Sequence, residues 1–99
     1  MQKYKIIIHC FNLEVPDKDS GKKIIGFYTT RYGSGEDEEK AFEEVKKKLK
    51  AEDSFKKLQK ATKENKQEEP DFEIEGIEKV PFYSGLLTRN TGYMLYSDE

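Results

Sequence analysis

Two runs of β-branched and aromatic residues lie close together near the start of the chain, at positions 3–14 and 24–32. The first run reads KYKIIIHCFNLE and the second reads IIGFYTTRY, a composition that is typical of β-strands. The polar segment PDKDSGKK between them is short, so it predicts a turn that joins the strands as an antiparallel hairpin. Because so apolar a hairpin must be buried against other elements or against a partner, it limits the possible folds more than any other feature of the chain.

Both faces of this predicted hairpin are apolar. Side chains alternate across a strand, and pairing of residue 14 with residue 22 would bring even-numbered positions of the two strands onto one face. That face carries Ile6, Ile8, Cys10, Ile24 and Tyr28. The other face carries Ile7, Phe11, Leu13, Ile25 and Phe27, with His9 and Arg31 at its edge. A half-solvated antiparallel sheet usually has a polar outer face, so the second apolar face needs a cover.

A helix is predicted directly after the hairpin. Ser34 is a suitable N-cap, acidic residues occupy positions 36–39, and a Lys-rich run follows at 46–50, which matches the helix dipole at both ends. The apolar positions at helical spacing form one narrow stripe, made of Ala41, Phe42, Val45 and Leu49. Phe55 and Leu58 fall out of phase with this stripe, and Asp53-Ser54 offers a new cap. We therefore expect one main helix over residues 36–51 and a short second helix that ends at about residue 62.

The remainder of the chain contains one clear strand. KENKQEEP at 63–70 is polar and of low complexity, which is typical of a mobile linker. DFEIEGIEKV at 71–80 alternates acidic and apolar residues, which predicts a strand with one solvated face that ends at Pro81. The tail LLTRNTGYMLYSDE forms either a hairpin around Asn90-Thr91-Gly92 or one last strand.

The element order β-β-α-β-β predicts a single α+β domain over residues 1–99 with two layers, an antiparallel sheet and one main helix packed on one of its faces. A right-handed return of the chain gives the strand order 2-1-3-4. The narrow helical stripe can cover only one face of the hairpin. The other face is covered either by the chain itself, through Phe55, Leu58 or the segment Pro81 to Leu87, or by a second chain.

Charge and cysteine content argue against several classes of protein. The chain has 18 basic and 20 acidic residues and a net charge of −2, and only Arg31 and Arg89 are arginines. Because Arg makes most bidentate contacts to phosphates and base edges, this composition disfavours nucleic-acid binding. Cys10 is the single cysteine, so no intramolecular disulfide is possible and a reducing compartment is expected. No segment has the length of a membrane span, and we expect a cytoplasmic protein without a membrane partner.

The short motifs that suggest ligand binding have structural explanations. Gly33-Ser34-Gly35 lacks the Gly-Lys-Ser/Thr of a phosphate loop and is followed by acidic residues, which favours helix capping. In the segment that begins at Asp17, Lys22 and Tyr28 stand where a calcium loop requires Gly and Glu. The Lys-rich run lacks Arg and interleaved aromatic residues.

Candidate catalytic and metal-binding groups are equally sparse. His9 and Cys10 are adjacent on a strand, point to opposite faces, and have no second His or Cys for a zinc site. Glu73, Glu75 and Glu78 are typical of a solvated strand face rather than of an acid/base couple. We therefore predict no catalytic, cofactor-binding or metal-binding residue and no cofactor.

Arg31 is the most distinctive single residue, because it lies in an aromatic and β-branched run of a Lys-rich chain. With Tyr28 and Tyr32 nearby it could recognise a carboxylate or stack in an interface. The alternative is an ion pair within the chain, with the acidic first turn of the helix as the candidate partner.

The segment Gly26-Phe27-Tyr28-Thr29-Thr30-Arg31, the helix that acidic residues open, and the closing Gly92-Tyr93-Met94-Leu95-Tyr96 resemble a group of small uncharacterised bacterial proteins. These proteins share a Gly-Phe-aromatic-Thr-Thr-Arg strand and a Gly-aromatic tail. The resemblance covers two short motifs and implies a stand-alone bacterial domain without a known activity. The Lys-rich helix and the long 63–70 segment depart from that group.

These observations favour a non-enzymatic protein–protein interaction module that forms a homodimer or masks a protein partner through the second face of the hairpin. The candidate interface residues are Ile7, His9, Phe11, Leu13, Ile25, Phe27 and Arg31. One alternative is a small antitoxin-type regulator that binds nucleic acid through its Lys-rich helix end. The other is a small enzyme whose pocket forms between subunits, with Arg31, His9 and a tyrosine converging in it.

Overall fold

The computed structural model describes residues 2–17, 19, 21–65, 69–84 and 92–97. Its elements are β1 (Gln2–Phe11), β2 (Val15–Pro16), β3 (Lys23–Gly35), α1 (Glu38–Lys50), α2 (Asp53–Asn65), β4 (Asp71–Val80) and β5 (Met94–Ser97). The predicted α+β class and antiparallel sheet are confirmed, and β4 has the predicted bounds. None of the described helices is long and apolar enough to cross a membrane.

β1 is the central strand of the sheet and pairs antiparallel with β3 on one side and with β4 on the other. The predicted neighbours 2-1-3 are therefore present, as β3, β1 and β4. β5 pairs with β3. Because Phe27 pairs with both Cys10 and Leu95, β5 lies on the edge of β3 that faces away from β1. In the predicted order 2-1-3-4 the last strand lies beyond β4, whereas the observed last strand, β5, lies next to β3. Asn90 and Thr91 of the predicted turn lie outside the described residues.

The hairpin register differs by one position from the predicted pairing of residues 14 and 22. Cys10 pairs with Phe27 and Ile6 pairs with Arg31, so even positions of β1 lie beside odd positions of β3. The turn is closed by a backbone hydrogen bond of 2.9 Å from Asp17 N to Lys22 O and continues into the pairing of Val15 with Ile24. The irregular residues 12–14, with Asn12 at φ 70°, then shift the pairing by two positions before β1 pairs with β3. Gly21 takes the positive φ of 75° that the turn requires. Since a shift by one residue moves every side chain of a strand to the other face, the predicted two-face assignment of β3 was wrong.

Both helices pack on the same side of the sheet. α1 buries Ala41, Val45 and Leu49, and it comes very close to the end of β3, where a Cβ on Gly35 would lie 2.5 Å from Ala41 N. The N-cap of α1 is Asp37, whose side chain accepts from Lys40 N. The predicted N-cap, Ser34, is instead part of β3, since that strand continues to Gly35.

The second helix is as long as the first, with 13 residues in each. It begins at Asp53, near the predicted cap, but continues to Asn65 and so includes the start of the predicted 63–70 linker. Phe55 of α2 is 1% exposed and its ring centroid lies 5.2 Å from that of Phe72. The core therefore lies between the sheet and the two helices, and its members include Ile6, Ile8, Cys10, Leu13, Phe27, Leu49 and Phe55.

Candidate functional site: the open face of the sheet

The side of the sheet that faces away from the helices is called the open face here. Its residues are Lys5, Ile7, His9 and Phe11 of β1; Tyr28, Thr30 and Tyr32 of β3; Glu73, Gly76 and Glu78 of β4; and Met94 and Tyr96 of β5. In the described ranges no helix lies on this face. Phe82 and Tyr83, from the segment predicted to fold over the hairpin, are 80% and 61% exposed.

The candidate interface residues divide between the two sides of the sheet. Ile7, His9 and Phe11 lie on the open face as predicted, and Ile25 is half-buried near the hairpin end. The placement of Leu13, Phe27 and Arg31 on that face is corrected, since all three are buried within the chain. The hairpin register explains the burial of Phe27 and Arg31, because these residues pair with Cys10 and Ile6, whose side chains point to the helices.

Phe27 is part of the core. It is 0% exposed, its ring stacks on that of Tyr93 at 4.3 Å, and Phe55 packs against its edge at 6.5 Å. The C-terminal segment thus does cover part of the hairpin, but it does so on the helix side. The uncovered apolar surface is smaller than the sequence predicts and is centred on Ile7.

Arg31 makes an ion pair within the chain. Its guanidinium forms two hydrogen bonds with the Glu52 carboxylate, and Nε donates to Thr29 Oγ1 at 3.1 Å. Tyr93 donates to Glu52 Oε1 at 2.9 Å, and burial together with this hydrogen bond raises the pKa of Tyr93. The partner is thus the residue between α1 and α2, not the acidic first turn of α1. This cluster joins the helix pair to the sheet.

A shallow depression lies beside Ile7 on the open face. Ile7 is 38% exposed and pairs with Gly76, and its own Cδ1 lies 3.6 Å from the position that a Cβ on Gly76 would take. The cavity has a volume of about 270 Å³ and is lined by Lys5, Ile7, Gly76, Ile77 and Glu78. Lys5 and Glu78 are also a cross-strand pair, and among the described residues neither forms an ion pair. An exposed apolar side chain, a shallow depression and two opposite charges therefore lie side by side.

His9 is held rigidly near the other end of the same face. Its ring stacks on that of Tyr28 at 4.5 Å, and Nε2 lies 2.6 Å from Tyr96 Oη. Nδ1 lies 2.7 Å from Glu73 Oε1. Burial raises the pKa of Tyr96, so its hydroxyl keeps its proton at neutral pH. The ring of Tyr96 lies over Gly26, where a Cβ would meet Tyr96 Cζ at 2.5 Å.

Glu75 completes a cluster with His9 and Glu73. One ligand atom from each of these residues lies within 4.8 Å of the others. The register of β1 and β4 shifts between Ile7 and Ile8, which leaves Glu75 as the extra residue of a β-bulge. Sequence reasoning placed the acidic residues of β4 on a solvated face but missed this cluster, since neither the pairing of β4 with β1 nor the bulge can be read from the alternation.

Three observations concern the residues named for the alternative functions. His9 and Arg31 lie on opposite sides of the sheet, so they do not converge within one chain. Cys10 is fully buried, and burial raises its thiol pKa to about 12, which disfavours the nucleophilic thiolate. In the Lys-rich run, Lys46 and Lys48 are paired with Glu43 and Glu44.

Comparison with protein-family models, with curated proteins and with solved structures gave no match. The inference of function therefore depends on the geometry of the open face.

Proposed function

We propose that the protein is a self-association module that forms a homodimer through the open face. The observation that supports this most strongly is the exposed Ile7 beside the shallow depression that it lines together with Gly76, in a sheet face that the described elements leave uncovered. An uncovered apolar sheet face of this kind is typical of a protein–protein contact.

A two-fold axis that runs parallel to the strands, midway between β1 and β4, brings the complementary features together. This axis places each open-face residue of β1 over the β4 residue of the second copy that pairs with it in its own chain. Ile7 then enters the depression at Gly76 of the second copy. Lys5 faces Glu78 of the second copy, and symmetry makes both contacts twice. The strands of the two sheets stay nearly aligned, as in common sheet-on-sheet packing.

The size of the face predicts a weak dimer. The axis lies between β1 and the edge strand β4, so only these two strands of each copy face the second sheet. They have ten residues each, or about 33 Å, and two strands span about 10 Å. The contact therefore covers about 300 Å² of each copy, well below the ~800 Å² of a standard interface. We expect a weak dimer whose population depends strongly on protein concentration.

Sedimentation velocity over a wide concentration range tests this proposal. Ile7 and Ile74 are both 38% exposed, but Ile74 pairs with Ile8 and lies on the helix side. Ile7→Asp should give a folded monomer at all concentrations, whereas Ile74→Asp should dimerise like the wild-type protein. A wild-type protein that stays monomeric at all concentrations would refute self-association, and the open face would then be a surface for a different partner. Equal dimerisation of the Ile7→Asp and Ile74→Asp variants would also refute it.

A further inference from the structure

We propose that His9, Glu73 and Glu75 form a binding site for a divalent transition metal ion of the zinc type. The three residues offer one imidazole nitrogen and two carboxylate oxygens, a ligand set that suits Zn²⁺ and leaves a position open for water or a fourth ligand. Nδ1 of His9 is the ring atom that faces the Glu73 carboxylate.

The ligand atoms need only small movements to reach coordination distance. Bonds of about 2.1 Å place the ligands of a tetrahedral ion about 3.4 Å apart, and the three atoms already lie within 4.8 Å of one another. His9 is fixed by its stacking on Tyr28, and its side chain is 14% exposed. Glu73 and Glu75 are exposed and keep the rotamer freedom to close on an ion.

Tyr96 supplies the outer hydrogen bond that histidine ligands of metals usually have. Its hydroxyl lies 2.6 Å from His9 Nε2. Because a hydroxyl can donate or accept, it can accept from Nε2–H once Nδ1 has lost its proton to bind the metal. Such partners orient the ring and increase the basicity of the ligand nitrogen.

Electrostatics at the cluster also favour a cation. Glu73 and Glu75 bring two negative charges close together, and among the described residues Glu75 has no cationic partner. In the proposed dimer the two-fold axis places His9 over Glu73 of the second copy, so the two clusters face each other. A bound ion would relieve the repulsion between four carboxylates, and by linkage Zn²⁺ should tighten self-association. This coupling rests on the proposed function, but the metal site does not.

Isothermal titration calorimetry with Zn²⁺ alone tests the site, in the wild-type protein at a concentration where it is monomeric, so that self-association does not contribute. We expect saturable binding of one ion, which Glu75→Gln removes. Tyr96→Phe should weaken the binding about 10- to 100-fold, and Mg²⁺ should bind far more weakly than Zn²⁺.

Glu78→Gln is the matched control, since Glu78 is an exposed glutamate on the same strand and face outside the cluster. Equal Zn²⁺ binding by Glu75→Gln and Glu78→Gln, or no saturable binding by the wild-type protein, would overturn the proposal. Zn²⁺ binding without any change in sedimentation of the wild-type protein would support the metal site but contradict its coupling to self-association.

Discussion

Replacement of Glu52 by Gln should destabilise the protein far more than replacement of an ordinary surface glutamate. Glu52 accepts hydrogen bonds from both terminal nitrogens of Arg31 and from Tyr93. The Arg31 side chain is only 8% exposed, so loss of the carboxylate removes a counter-charge from a buried guanidinium. Removal of one partner of a buried pair typically costs about 3–5 kcal/mol.

The expected cost is somewhat lower here, because the Glu52 side chain is 34% exposed and water screens part of the interaction. Arg31 also keeps its bond to Thr29. We therefore expect a loss of about 2–3 kcal/mol in the free energy of unfolding. For a domain of this size that loss lowers Tm by about 8–24 °C.

Glu44→Gln provides a matched control. Glu44 is 37% exposed and is paired with Lys48 one helical turn away, so its replacement should cost about 0.5 kcal/mol or less. Urea unfolding followed by circular dichroism measures both variants. A Glu52→Gln protein no less stable than Glu44→Gln would show that Arg31 is not held by a buried pair, and would refute its placement on the helix side of the sheet.

Two further predictions concern the core. Gly35→Ala should destabilise the fold by about 1–3 kcal/mol, because the new Cβ would lie 2.5 Å from backbone Ala41 N. Gly21→Ala meets no atom within 4 Å, so it should cost only the strain of its positive φ, about 1 kcal/mol in urea unfolding. A Gly35→Ala protein as stable as the wild-type protein would contradict the close approach of α1. The Cys10 thiol should resist alkylation by iodoacetamide in the native protein and react after unfolding, as mass spectrometry would show. Its pKa rises from 9.0 to about 12 in the folded state, so the unfolded chain loses the proton first and stability should fall as pH rises from 9 to 12. A Cys10→Ala variant should show a smaller fall over that range, and an identical fall would refute the burial of the thiol.

Local patterns in the sequence determine several elements directly. The alternation in DFEIEGIEKV and the following Pro81 predict β4 from Asp71 to Val80, as observed. The end of α2 could not be read in the same way, since polar residues such as Lys63 and Glu64 are compatible with both a solvated helix and a linker. Features that depend on hairpin register were missed. The turn from Asp17 to Lys22 and the irregular residues 12–14 together set that register through backbone geometry, and one residue of slip decides whether Phe27 and Arg31 face solvent or the core.

The residues of the candidate sites are far apart in sequence, which limits their prediction. Arg31 meets Glu52 and Tyr93 only because the link between the helices and the C-terminal segment both return to β3. His9 meets Glu73 because β4 pairs with β1, and it meets Tyr96 from the other side. Composition revealed that Arg31 and His9 were unusual, but only the topology assigns their partners.

Mixing two charge-reversal variants tests the proposed dimer most directly. Lys5→Glu places like charges opposite each other at both symmetry-related contacts with Glu78 of the second copy, and Glu78→Lys does the same. At about 1 kcal/mol for each contact, either variant alone should dimerise about 30-fold more weakly than the wild-type protein at low ionic strength.

In an equimolar mixture, every facing pair of a heterodimer again joins opposite charges. Sedimentation velocity should therefore detect a dimer in the mixture at concentrations where each variant alone is monomeric. A mixture that stays monomeric, or single variants that dimerise as strongly as the wild-type protein, would contradict the arrangement in which Lys5 faces Glu78 across a two-fold axis.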